Sequence, residues 1–199
     1  MRIDLEHLHY WMQAIRQSPV PMRTMDAFWR GQLDSKKWLI NELEKLFWLD
    51  DITVDIHGGW VGVLASMLFQ SDIGITHINS IDIDPTCEPI ATMMNKGEEI
   101  EGRFRAHIAD MCTFRSDADV IINTSCEHIT QEEYDLWLSG LPHNSIIVLQ
   151  SNDYDIPEHV RFVDSLEEFK KQSNLNIIYA GSLDTELYTR WMIIGKQYG

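Results

Sequence analysis

Residues 52–62, Ile-Thr-Val-Asp-Ile-His-Gly-Gly-Trp-Val-Gly, read as an apolar strand running into a glycine turn, and Val63 to Phe69 continue as an apolar helix. That order presents free backbone N–H groups to a nucleotide-like ligand at the carboxyl end of the strand. Farther on, Ile78-Asn79-Ser80-Ile81 ends at Asp82, about where a carboxylate holds a ribose hydroxyl pair. If His57, Gly59 and Gly62 are set against the three glycines of a dinucleotide fingerprint, the first is occupied by another residue and the match is partial. The glycines also have a plain structural reading, since a strand-to-helix turn needs positive φ or close helix packing.

Composition bounds what such a turn can serve. A chain of 199 residues supports one substantial core, so a single domain is expected. It has no apolar run of about 18 residues and no basic-then-apolar amino terminus, from which a soluble, cytoplasmic protein without membrane association is expected. Cys87, Cys112 and Cys126 have neither an even count nor metal-ligand spacing, which points to reduced thiols. Asp and Glu number 31 against 16 Lys and Arg, for a formal net charge of -15, and such a field repels a phosphate backbone. The lysine pairs Lys36-Lys37 and Lys170-Lys171 fall in helical stretches and read as solvated faces. Nucleic acid is therefore not the expected partner; a small molecule is, and a homodimer is left open.

The first fifty residues are helical in pattern. Leu5, Leu8, Trp11, Met12 and Ile15 recur at helical spacing after Asp4, and Leu39, Ile40, Leu43, Leu46 and Phe47 recur after the candidate caps Asp34 and Ser35. Pro19-Val20-Pro21 breaks the pattern between them, and Phe28-Trp29 offers bulky apolar surface before Gly31. Residues 1–50 are read as a helical cap belonging to the same domain as residues 51–199. Aromatic residues of such a cap, Trp29 first, are candidate substrate contacts.

From Asp51 onward strands and helices alternate. Strands are expected at 52–56, 76–82, 103–108, 118–123 and 145–150, which makes an α/β fold with a mostly parallel, helix-flanked sheet the economical reading. Thr130 with Glu133, and Ser165 with Glu168, have capping-box spacing and start helices after the fourth and fifth strands. Asn176 to Ala180 and Leu187 to Ile194 are separated by too few residues for a crossover helix and should pair antiparallel.

Over residues 50–196 these stretches resemble a class I S-adenosylmethionine-dependent methyltransferase of the small-molecule type. The resemblance implies a Rossmann-like sheet of seven strands, mostly parallel, with the last strand antiparallel and inserted beside the fifth. Val54-Asp55-Ile56-His57-Gly58-Gly59 is similar to the motif that wraps the methionine part of the cofactor; Asp55 and Gly59 match it, and His57 stands where glycine is usual. Ile81-Asp82-Ile83-Asp84-Pro85 resembles the end of the second strand, where Asp82 takes the ribose hydroxyls. Ala109-Asp110-Met111 resembles the motif after the third strand, where Asp110 accepts from the adenine amino group. The implied cofactor is S-adenosylmethionine, held by Asp55, His57, Gly58, Gly59, Asp82, Ile83, Asp110, Met111 and Asn123.

Ser125-Cys126-Glu127-His128-Ile129 resembles the Glu-His pair found after the fourth strand of many small-molecule methyltransferases. Asn123-Thr124-Ser125 departs from the Asn-Pro-Pro-Tyr signature of enzymes that methylate base amines, and no metal trio is apparent in the chain. A neutral imidazole can take a proton from an attacking oxygen or nitrogen, so His128 is the candidate base, with Glu127 holding it or a cationic substrate. The same pair also reads as a solvated helix entrance, and methyl transfer can need placement more than a base. Asp55 is read mainly as an acceptor for the N–H groups of the glycine turn. Trp60 is read as core or as a ligand platform. Asn152, Tyr154 and His159, in the loop Ser151 to His159 after the fifth strand, are further candidate substrate contacts. Because each motif follows a strand, they are expected to converge on the carboxyl edge of the sheet, partly covered by the amino-terminal helices. A catalytically inactive, methyltransferase-like scaffold and an NAD-dependent oxidoreductase are the alternatives.

Overall fold

The computed structural model describes residues 4–46 and 51–198. The chain divides into two compact units, Met1–Asp110 and Met111–Gly199. In the first, β1 (Ile52–His57), β2 (Ile75–Asp82) and β3 (Phe104–Ile108) are parallel in the order β3-β2-β1, with Val54 opposite Ile78 and Ile78 opposite Phe104. The helix α1 (Leu5–Gln17) starts where expected, the Asp4 carboxylate accepting from the Glu6 N–H. Only Trp11 and Ala14 of α1 are buried, while Leu5 is 81% and Met12 58% exposed. The Trp11 indole N–H donates to Ser66 Oγ at 2.8 Å, tying α1 to α4 (Val63–Phe69).

Two expectations for this region need correction. Pro21 does not merely break a helix but opens a short one, α2 (Pro21–Asp26), since a first-turn proline lacks only an N–H that would be unbonded anyway. The next helix, α3 (Arg30–Leu46), begins before Asp34 and Ser35, so neither is a cap. Asp34 instead meets Arg30 one turn earlier at 3.4 Å, Ser35 is buried, and Gly31 lies within the helix. Phe47 lies outside the described residues. The helices α5 (Cys87–Met94) and α6 (Lys96–Ile100) link β2 to β3. The first six residues of α4 are all buried, which is why its sequence reads as an unbroken apolar run and not as a stripe.

The second unit holds β4 (Val120–Asn123), a 3₁₀ turn (Cys126–His128), α7 (Gln131–Ser139), β5 (Ile146–Asn152), α8 (Leu166–Ser173), β6 (Asn176–Asp184) and β7 (Thr189–Lys196). β4 pairs parallel with β5, whereas β7 pairs antiparallel with both β5 and β6. The sheet order is β3-β2-β1-β4-β5-β7-β6, so the last strand is antiparallel and lies between β5 and β6, as expected. β4 and β5 are buried at every position; Val120–Ile122 and Ile146–Leu149 read as apolar runs, and both strands end on buried polar residues, Asn123 and Gln150-Ser151-Asn152. The edge strand β6 has no fully buried residue. Tyr134, Trp137, Phe169, Ile147 and Ile193 form the core of this unit, with the Tyr134 hydroxyl donating to the Ser173 carbonyl at 2.6 Å.

Both expected helix starts are present. Thr130 and Glu133 form the reciprocal capping box. At α8, Ser165 accepts from the Glu168 N–H at 3.2 Å, and the Glu168 carboxylate reaches back to the N–H of Asp164, one residue before the cap.

Candidate functional site

In the first unit the glycine turn is stapled to the end of β2. The N–H groups of Gly58 and Gly59 both donate to the Ile81 carbonyl at 2.9 Å, and the Trp60 N–H donates to Asp82 Oδ2 at 2.8 Å. These donors are not free for a ligand, contrary to the sequence reading: the turn crosses the end of the neighbouring strand, and β2's outermost acceptors take them. Asp82 Oδ1 accepts the Asp84 N–H at 3.0 Å, so one carboxylate ties both turns together. An ionised carboxylate has about four lone-pair sites, which leaves Asp82 capacity for further donors.

The glycines serve different needs. Gly59 is required by proximity, because a Cβ there would stand 2.0 Å from Ser80 Oγ. Gly62 has φ +79° and opens α4, and a Cβ on it would lie 2.7 Å from the Asn95 amide nitrogen, which donates to the Gly62 carbonyl. Trp60 is half-buried with φ 50°, a conformation that a bulky L-residue adopts at a cost of about 1–2 kcal/mol. Trp60 is thus neither fully buried nor open to solvent.

Asp55 is buried, and its Oδ1 accepts from the Asn79 side-chain amide at 2.8 Å, while Ile81 and Asp82 hold the turn's N–H groups. Its expected role as main anchor of those N–H groups is therefore corrected. His57 is fully buried, and burial pushes its pKa down to about 4, leaving the imidazole neutral at pH 7. Ile83, 70% exposed, and the exposed Asp110 lie just past β2 and β3, and the Ala109 N–H donates to the Asp82 carbonyl at 3.0 Å. Sequence reasoning missed Arg23, whose Nη1 donates to Asp84 Oδ2 at 2.5 Å from α2. Hydrogen bonds from Thr86 and Arg23 lower the Asp84 pKa to about 2. Trp29, 40% exposed, follows α2.

In the second unit, Asn123 at the end of β4 is buried and locally engaged. Its Oδ1 accepts the Ser125 N–H at 2.9 Å, and its amide donates to Met111 Sδ at 3.6 Å. The following 3₁₀ turn is braced by Arg161, whose backbone N–H donates to the Glu127 carbonyl and whose Nε donates to the Cys126 carbonyl. That guanidinium lies 4.2 Å from the centroid of the Tyr134 ring. Burial raises the Cys126 thiol pKa to about 12, so it is not a nucleophilic thiolate.

Glu127 is 2% exposed. Its Oε1 accepts from Asn152 Nδ2 at 2.6 Å and faces Arg190 Nη2 at 3.5 Å, while the buried Oε2 has no hydrogen-bond partner among the described residues. Asn152 is itself buried, its Oδ1 accepting the Tyr154 N–H at 2.9 Å. Asn152 thus positions Glu127 and is not an exposed substrate contact, which corrects the expectation. Arg190 was not singled out from the sequence; its position in a strand between Thr189 and Trp191 carries no local signal of a buried ion pair.

His128 Nδ1 lies 3.1 Å from the Glu158 carbonyl and His159 Nδ1 lies 2.7 Å from the Tyr154 carbonyl. A carbonyl only accepts, so each Nδ1 carries the hydrogen and each neutral ring keeps its lone pair at Nε2. The expected hold of Glu127 on the His128 ring is replaced by the Glu158 carbonyl. The two rings meet edge to face at 4.7 Å, and Tyr154 lies 6.1 Å from His159. One carboxylate oxygen of Glu127 and one nitrogen each of His128 and His159 lie within 4.8 Å of one another, a donor trio that the linear sequence does not display.

No family sequence model matches the chain, and no curated protein matches it in sequence. Solved structures do match in fold. Magnesium protoporphyrin IX methyltransferase (ChlM) from Synechocystis PCC 6803, with bound SAH, superposes with TM-score 0.69 and 15% identity over 98% of this chain and 95% of that one. Mitomycin 7-O-methyltransferase MmcR matches with TM-score 0.64 and 15% identity over 94% of this chain and 60% of its own. A putative RNA methyltransferase, PH1948 from Pyrococcus horikoshii, matches with TM-score 0.61 and 16% identity over 83% and 85% of the two chains. The shared property is the methyltransferase fold.

Proposed function

We propose that the protein transfers a methyl group from S-adenosylmethionine to an oxygen or nitrogen of a small-molecule acceptor. The observation that carries this reading is Asp82. Its carboxylate closes the turn after β1, anchors the turn after β2, and keeps lone pairs for a diol on a fold shared with methyltransferases. A carboxylate accepting two hydroxyl donors makes charge-assisted bonds, the strong kind in an enclosed site. Exposed Ile83 supplies apolar surface for an adenine face, and Asp110 supplies an acceptor for its amino group. The buried side chains of Asp55, His57 and Asn123 restrict their part in cofactor binding to shaping the chain around the ligand.

On the acceptor side, His128 is assigned proton removal through Nε2, since its Nδ1–H is held by a main-chain carbonyl, which leaves the Nε2 lone pair for a proton. Tyr154 and His159, which lie beside His128 in the same unit, are assigned acceptor contacts. The excess of acidic residues disfavours a nucleic-acid acceptor, and free thiols suit a reducing, cytoplasmic setting. Among the described residues no helix is long and apolar enough to cross a membrane.

The test is equilibrium titration with S-adenosylmethionine, its demethylated product and NAD, followed by radiolabelled methyl transfer to a panel of small alcohols, acids and amines and to bulk RNA. Binding of the first two nucleosides and labelling of a small molecule is the expected result. Preference for NAD, or labelling of RNA alone, overturns the reading.

A further inference from the structure

We infer that Glu127, His128 and His159 form a binding site for one divalent first-row transition-metal ion, with zinc and cobalt(II) as suitable probes. Two imidazoles and one carboxylate are a donor set that suits such ions and leaves coordination positions open. One carboxylate oxygen of Glu127 and one ring nitrogen of each histidine already lie within 4.8 Å of one another. Ligands of a tetrahedral ion with bonds of 2.0–2.1 Å stand about 3.3 Å apart, so the trio closes by at most about 1.5 Å per pair on taking up the ion. His128 is exposed, His159 half-buried and Glu127 buried, which places the open side of the trio toward the two imidazoles.

Two independent features point to a ligand here. The first is Glu127 Oε2, a carboxylate oxygen buried on a side chain 2% exposed and lacking any hydrogen-bond partner among the described residues. Burying an acceptor unsatisfied is costly, and a cation bound to this lobe removes that cost. Arg190 and Asn152 both address the other oxygen, Oε1. Their bonds orient the carboxylate and offset its charge while leaving Oε2 to the ion.

The second feature is the support behind the imidazoles. Both rings donate Nδ1–H to main-chain carbonyls, those of Glu158 and Tyr154. That bond selects the tautomer with a lone pair at Nε2 and fixes the ring plane, as the outer partners of metal-bound histidines do. Nothing in the chain's linear spacing groups these donors, because His159 lies on the loop after β5 and the other two on the 3₁₀ turn after β4. In the loaded protein the His128 lone pair belongs to the ion, and the assignment of His128 as a base applies to the metal-free form.

The test reads metal binding directly and needs neither methyl donor nor acceptor, so it succeeds or fails apart from the methyltransferase reading. Chelator-stripped protein is titrated with cobalt(II), followed by its visible absorption and by calorimetry, and the thermal midpoint is measured with and without zinc. The expected result is one ion per chain and a raised midpoint. His128→Ala and His159→Ala, both at sites that leave the core intact, should each weaken binding by at least about tenfold, and His143→Ala should not. Glu127→Gln, checked for folding by circular dichroism, should weaken it as well. Absence of stoichiometric binding, or binding indifferent to both His128→Ala and His159→Ala, overturns the site.

Discussion

The turn after β1 and the turn after β4 follow strands in the same way, yet they spend their polar groups differently. At the first, Gly58, Gly59 and Trp60 give their N–H groups to Ile81 and Asp82, so the loop is locked before any ligand arrives. At the second, the main chain is braced by Arg161, but among the described residues Glu127 Oε2 has no hydrogen-bond partner and the two imidazoles keep their Nε2 lone pairs. A locked loop suits a site that must fit one ligand. Unspent bonding capacity suits the place where a proton or an ion changes hands.

The largest effect should come from separating the two by mutation. In the metal-free protein His128→Ala should lower single-turnover methyl transfer by roughly 10²- to 10⁴-fold, the usual size of a lost proton acceptor, with S-adenosylmethionine affinity nearly unchanged. Asp82→Ala should do the reverse, weakening cofactor binding first. It should also destabilise the fold by about 1–3 kcal/mol, because two N–H groups lose their acceptor. Paired titration and rapid-quench measurements decide this, and equal losses of affinity in both variants would erase the contrast.

The next effect concerns pH and belongs to the first turn alone. His57 has a folded-state pKa of about 4 against an ordinary 6.5, so the unfolded chain binds the extra proton between those values. Its contribution is complete above about pH 6.5 and disappears as pH falls toward 4, a loss of roughly 3 kcal/mol. Urea denaturation of the protein and of His57→Gln across this range should show a difference that narrows as pH falls. Parallel pH profiles would mean that His57 is solvated in the folded state.

The smallest effect sharpens the picture of a preformed loop. Trp60→Gly removes a bulky residue from a left-handed conformation and should raise stability by roughly 0.5–1 kcal/mol, the relief of strain less the greater freedom of glycine when unfolded. If the indole is a ligand platform, the same variant binds S-adenosylmethionine more weakly. A loss of stability above about 1 kcal/mol would instead show that Trp60 is held by packing.

Chain order alone was enough for the five strands between Ile52 and Gln150, the closing hairpin, Thr130 as a cap and Gly62 as the start of α4, because each depends on neighbours within a few residues; β5 runs two residues farther, taking Ser151 and Asn152 out of the expected loop, because these polar residues are buried in the sheet. Hydrophobic period, capping spacing and glycine turns are local signals, and local signals survive in a linear reading. Asp34 and Ser35 misled the same reading, since a polar residue can face solvent or a buried contact inside a helix as readily as cap one. Where each polar atom spends its hydrogen bonds was decided only by the folded structure. Asn152 reaches Glu127 across 25 residues and Arg190 reaches it across 63, while Glu158 and Tyr154 turn the imidazoles with main-chain carbonyls that every sequence contains. Such partners are set by strand order and loop course, and hydrogen-bond satisfaction is a property of the whole neighbourhood and not of a motif.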